Sequence, residues 1–396
     1  MKTIKQSFKR WFFYPLMWVV VTIVGLLAQQ YFVAALCCSV AICMLIVNTI
    51  PSIVLELAQQ EILAGHFSQG EKLARFGMEW CKIFFIGPTR RLPRSISYDQ
   101  LFKDNLSAAL MITGKFSDAI AVDKEILAEL EKQGDTAGAA NARNSLALCY
   151  LWLGDLKESE RLIDSAIVIL ENLERNAVKA GESIKDVHTS RLAYALHVKA
   201  TLLEKTRNYA AAEVVAQKAI DTFKKLYDEN SFEMTSHFVL HGSILLRLNR
   251  FDGAESNLQK AFRIRHMLLP PEHPLLSSVD KEVGRLYTET GRLALAEPLL
   301  RSALQSLLAL ANGEHPDLPE YKGDLARLLV KRKNFVEAEK LLTEALEQRE
   351  RQSTANHPDL IDFLLSLSEI ASANGDSSKA TSLTARAGTI LALLRA

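Results

Sequence analysis

Ala254, Ala296, Ala338 and Ala380 stand 42 residues apart, and so do the dipeptides His273-Pro274, His315-Pro316 and His357-Pro358. A fixed period of this size constrains the fold more than any composition does. It is the mark of stacked units, each burying its apolar face only against its neighbours. A chain built this way grows by addition and needs no single large core. The 396 residues therefore do not have to divide into conventional domains.

Aligning every unit on its anchor residue exposes the columns. Three residues before the anchor stands an aromatic or leucine: Phe116, Leu156, Tyr209, Phe251, Leu293, Phe335. Two residues earlier is a turn position: Gly114, Gly154, Arg207, Asn249, Gly291, Lys333, Gly375. Further back is a small residue: Ser107, Ala147, Ala200, Gly242, Gly284, Ala326, Ser368. Apolar residues follow the anchor at spacings of four and seven, as in Leu300 and Ala303 or Leu342 and Ala345. Such spacing forms one helical stripe. Small residues let two helices approach, and Gly or Asn can end a helix in the left-handed region. Each unit is predicted to be a helix, a tight turn and a second antiparallel helix. Seven anchors, Ala119, Ser159, Ala212, Ala254, Ala296, Ala338 and Ala380, are spaced 40, 53, 42, 42, 42 and 42 residues apart. The long step implies an extended helix pair, and the polar last unit (Ser377, Thr384) suits a cap facing water.

These columns resemble the tetratricopeptide repeat. The strings Ala296-Glu297-Pro298-Leu299-Leu300 and Glu314-His315-Pro316-Asp317 resemble its kinesin-light-chain type. The resemblance covers 100–396 and implies an all-α, right-handed solenoid of antiparallel helix pairs. It also implies that the first helix of each unit lines a concave groove for a partner peptide or domain. The inward positions it marks are Asn141, Asn144, Tyr194, His197, Thr201, Ser236, Ser243, Arg247, Lys281, Arg285, Arg327 and Lys331. The cations among them suggest an acidic partner segment or a C-terminal carboxylate. The full Lys and Asn pattern of the family's carboxylate clamp is missing. The expected function is a scaffold or adaptor for protein partners. The alternative is a structural subunit of a larger membrane assembly, and an enzyme-associated regulatory protein comes after that.

The N-terminus is different material. From Trp11 to Leu55 no residue is charged, too long a run for a signal peptide. One membrane span needs about 20 residues, so two spans, near 11–28 and 31–49, are expected to form a hairpin after a basic cytoplasmic tail at 1–10. The positive-inside rule then places the repeats in the cytoplasm of an integral membrane protein. A single span, with the repeats on the other side, is the competing reading. Residues 51–99 read as a degenerate first repeat (Ala58, Gly65, Phe67, Gly70, Ala74, Gly77) followed by a basic linker around Arg90, Arg91 and Arg94.

Other chemistry finds little support. Lys2, Lys5, Lys9 and Arg10 account for the net charge of +1, and without them acids outnumber bases, which argues against nucleic acid. The five cysteines form no CxxC pair. Equivalent histidines of successive stacked units lie too far apart to share a metal ion, and the His-Pro pairs read as helix starts. Gly65 to Lys72 (GHFSQGEK) misplaces the lysine of a phosphate loop. No catalytic motif appears. No cofactor, metal or small-molecule substrate is expected.

Overall fold

A computed structural model describes residues 50–62, 64, 66–83, 98–179, 187–271, 273–310, 315–353 and 356–394. Among these residues the chain is helical, with no strand. It divides into two compact units, 1–106 and 107–396. In the first, α1 (50–62) and α2 (Phe67–Ile83) meet the start of α3 (Tyr98–Ile112). Val54, Leu55, Cys81 and Phe102 form its core. A side chain at Gly77 would overlap the Phe102 ring, and one at Gly70 would overlap Ile62. Phe67 to Lys72 of the GHFSQGEK string open α2 and form no loop.

The second unit is a run of antiparallel pairs. After α3 come α4 (Phe116–Gln133), α5 (Thr136–Leu153), α6 (Leu156–Lys179), α7 (Val187–Lys205) and α8 (Tyr209–Phe223). A 3₁₀ turn, Phe232–Met234, precedes α9 (Thr235–Arg247) and α10 (Phe251–Leu268). Then follow α11 (Pro274–Glu289), α12 (Leu293–Leu310), α13 (Leu318–Lys331), α14 (Phe335–Gln352), α15 (Leu360–Ala373) and α16 (Ser377–Leu393). The long repeat step is taken up largely in α6, which has 24 residues against 18 in α4, α10, α12 and α14.

All seven turn positions have positive φ, from 57° at Asn249 to 84° at Gly154. In six of these turns the N–H of the turn residue and that of the next reach back into the preceding helix, as Lys333 N to Val330 O and Asn334 N to Leu329 O do, both at 2.9 Å. This closes the orphan carbonyls at the helix end. The anchors Ala119, Ala212, Ala254, Ala296 and Ala338 are wholly buried. A Cβ added to Gly242 or Gly284 would lie 2.6 Å from the Cγ of Leu258 or Leu300. The small-residue column is therefore where two helix backbones press together.

The His-Pro pairs start helices in a specific way. His273 Nδ1 accepts the N–H of Leu275 at 3.2 Å, His315 Nδ1 that of Asp317 at 3.1 Å, and His357 Nδ1 that of Asp359 at 3.2 Å. Each imidazole satisfies one of the donors left open at a helix start. Among the described residues no group of three His, Cys, Asp or Glu side chains is placed to hold a metal ion.

The expectation of an integral membrane protein is corrected. Among the described residues no helix is long and apolar enough to cross a membrane. The apolar helix α12 carries Glu297 and Arg301, paired at 2.9 Å, and α15 has only 14 residues, below the length of a span. The expected spans near 11–28 and 31–49, the tail before them and most of the basic linker lie outside the described residues.

Candidate functional site

The first helices of the pairs face one another across a cavity of about 320 Å³. Its wall takes Trp152 from α5, Thr201 and Glu204 from α7, Ser236 and Ser243 from α9, Lys281 from α11, Glu320 and Asp324 from α13, and Asp362 and Phe363 from α15. The 42-residue period explains the alignment. Ser236, Ser278, Glu320 and Asp362 are one column of the repeat, and Ser243, Arg285 and Arg327 are another.

The wall is a network of opposite charges. Lys205 Nζ lies 3.1 Å from Glu320 and 3.0 Å from Asp359. Lys281 pairs with Glu320 at 2.6 Å and Glu282 at 3.1 Å. Arg285 pairs with Glu282 at 2.8 Å and Asp324 at 3.4 Å. Asp362 gathers Arg247 at 2.9 Å, Arg327 at 3.6 Å and Arg207. Arg265 has neutral partners: the hydroxyls of Thr235, Ser236 and Ser278 and the Leu275 carbonyl.

Burial would raise the Asp359 and Asp362 carboxyls, but the surrounding cations outweigh it and hold both well below the usual range. The outcome differs at Glu204 and Asp324. There burial dominates and pushes the carboxyls up, despite Arg247 and Arg285 nearby. His197 and His237 are pushed down to about 3 and about 4 by burial, so both rings are neutral at ordinary pH. The rings meet edge to face at 5.1 Å.

Seven of the twelve positions marked in the sequence line this cavity: His197, Thr201, Ser236, Ser243, Arg247, Lys281 and Arg327. Arg285 lies behind the wall at 5% exposure, within the ion network. Tyr194 is more exposed and stacks on His197. Asn141 is exposed to solvent, and Asn144 is fully buried with neither amide atom hydrogen-bonded among the described residues. Lys331 reaches Glu289 at 2.7 Å and lies off the cavity wall. The sequence marked Arg247, Lys281 and Arg327 in this wall but neither the cations Lys205, Arg207 and Arg265 nor the acids Glu320, Asp324, Asp359 and Asp362. The same period marks these acids, since Glu320 and Asp362 are 42 residues apart, as are Asp317 and Asp359.

The network also spans the array. Lys205 ends the first helix of the third pair and Arg207 stands in the turn after it, and their carboxylates belong to the sixth and seventh pairs. Pro316 fits against the turn at Gly114, where a Cβ would come within 2.6 Å of its Cδ. Lys205 lies over the Trp152 ring, 5.2 Å from its centroid.

A tetratricopeptide-repeat family model matches residues 242–275. Similar solved structures include BtubC (BKLC) from P. vanneervenii, at 21% identity over 60% of this chain and 92% of that one, with a TM-score of 0.42. A putative kinesin light chain from Podosopora anserina has 20% identity over 52% and 98%, with a TM-score of 0.37. A Rap protein complexed with competence and sporulation factor has 13% identity over 87% and 98%, with a TM-score of 0.49. No curated protein sequence matches the chain. In this array the first helices surround a cavity walled by the protein's own ion pairs.

Proposed function

We propose that the protein is an interaction scaffold that docks a segment of a partner protein at the cavity between its first helices. One observation carries this reading: polar and charged side chains from five consecutive pairs, joined by Trp152 of the pair before them, converge on a single open cavity. At about 320 Å³ it falls at the low end of the range for ligand pockets, roughly 300–1,000 Å³. It suits one or two anchor side chains of a docked segment, which is how a few residues come to dominate binding. The rigid stack supplies a preformed surface, so little ordering free energy is lost when the segment binds.

Peptide display against the full chain, with binders measured by fluorescence anisotropy, tests the reading. Thr201→Trp fills the cavity and is expected to weaken the selected peptides at least tenfold. Val336→Asp, at an 85% exposed site on α14, leaves them unchanged. Binding that survives Thr201→Trp and falls with Val336→Asp would place recognition on the second helices and refute the cavity.

A further inference from the structure

We propose that the charged side chains joining the third helix pair to the sixth and seventh form a latch across the cavity, and that a partner segment docks only after these pairs have swung apart. This rests on the docking reading above and assigns its regulation: the structure is the closed state of the scaffold.

Neighbouring pairs and distant pairs are held by different contacts. Neighbours share apolar core: Ala254, Leu258, Val279 and Val283 join the fourth pair to the fifth, and Leu328, Leu342, Leu360 and Leu364 join the sixth to the seventh. The core of the sixth and seventh pairs contains no residue of the third. Helix α7 packs on α5, α6, α8 and α9, but not on α13 or α15. Charge is what joins it to them. Lys205 Nζ donates to Glu320 on α13 and to Asp359 just before α15, and Arg207 donates to Asp362 on α15. Arg247 of the fourth pair donates to the same Asp362 at 2.9 Å. Parting two packed helices returns apolar surface to water with nothing to offset the loss. Parting an ion pair returns both charges to water, and their hydration offsets much of the lost attraction. The array therefore has one seam along which it can open while each helix pair stays folded. The rotation is shared by the unit interfaces between the third and sixth pairs.

The seam runs through the proposed docking site. Lys205, Arg207, Arg247, Glu320, Asp359 and Asp362 all line the cavity. A segment that reaches the third and seventh pairs at once has to pass between the two halves of the latch. A partner that binds the open array better than the closed one shifts the balance by its difference in affinity. Its apparent affinity is lowered by the fraction of molecules that stand open without it. The latch thus leaves a signature of its own: removing its cations from the wall strengthens binding. Cations that served only to contact a partner would weaken binding when removed.

The test reads the width of the seam and the affinity of the displayed peptides in the full chain. Spin labels are carried by unnatural residues at two exposed positions, Ala210 in the third pair and Asn356 ahead of the seventh, and their separation is measured by electron–electron double resonance. Lys205→Gln combined with Arg207→Gln is expected to lengthen that distance, with circular dichroism unchanged, and to tighten binding of the peptides selected on wild type at least tenfold. Arg207→Gln alone takes its place if the double variant loses helix. Arg292→Gln, which removes a pair with Glu255 between neighbouring units, is expected to change neither readout. An unchanged distance, or a longer one with equal or weaker peptide binding, would overturn the latch and leave the docking reading standing. Peptides indifferent to Thr201→Trp would sink the docking reading and the gate together, whatever the labels report.

Discussion

Three turn residues hold a left-handed backbone without being glycine: Arg207, Asn249 and Lys333, with φ of 61°, 57° and 61°. That conformation costs an ordinary residue about 1–2 kcal/mol, which glycine avoids. Lys333 is exposed, so Lys333→Gly is expected to stabilise the protein by about 1 kcal/mol in urea denaturation. Arg207→Gly relieves the same backbone but removes a partner of Asp362, so it is expected to destabilise. Stabilisation by both would show that the Arg207 ion pair contributes nothing.

The buried histidines set a second residue-level expectation. His237 and His357 are held down to about 4, chiefly by burial, whereas an unfolded histidine titrates near about 6.5. The unfolded chain therefore binds protons first, and stability falls as pH drops from about 6.5 towards about 4. Asp359 and Asp362, held low by their cations, lose their contribution only below the unfolded Asp range, near about 3.9. Glu204 and Asp324, pushed up, act in the opposite sense. A comparison of variants separates these effects. His357→Asn keeps an acceptor for the Asp359 N–H, and His237→Phe keeps the ring. In each, the slope of stability against pH between 6.5 and 4.5 should be shallower than in wild type.

At the scale of the element, the repeat columns state what each helix pair requires. Gly242→Ala and Gly284→Ala each force a leucine from its place, with an expected cost of about 1–3 kcal/mol. Adding Leu258→Ala to Gly242→Ala should recover part of that loss, and strict additivity of the two in a double-mutant cycle would show that the groups do not meet. This level was legible in the sequence because it is local. The turn, the small residue and the anchor lie within one unit, and backbone sterics fix the outcome whatever the neighbours do. The helix-starting role of the His-Pro pairs was legible for the same reason. The imidazole as the capping acceptor was not, because a cap is normally Ser, Thr, Asp or Asn.

At the scale of the array of 107–396, the ion network depends on winding. Each unit turns slightly on the last, and the sum of those rotations decides which unit faces which. No local pattern encodes that Lys205 should meet Asp359 across 154 residues. The period marks columns of cations and of acids in the sequence, but not which cation meets which acid. The sequence therefore suggested an open basic groove where the fold has balanced its own charges. The two settings predict different energetics. Lys205, mostly buried, pairs with carboxylates that are 20% and 10% exposed, whereas the partners of Lys199 are 57% and 52% exposed. Thermal unfolding should find Lys205→Gln costly, about 3–5 kcal/mol, and Lys199→Gln nearly neutral, below about 1 kcal/mol.

The fit of Pro316 against the turn at Gly114 bears on how the array comes apart. In a linear stack each unit feels only its neighbours, so the ends can melt while the middle stays folded. Here the first pair touches the loop that opens the sixth, and the third is tied to the seventh, so releasing either end also strips contacts from units far along the chain. Hydrogen exchange should then find amides of α5 and α15 opening with similar free energies. Refolding should be slow for a helical protein, because distant segments must meet before the last units gain their full support.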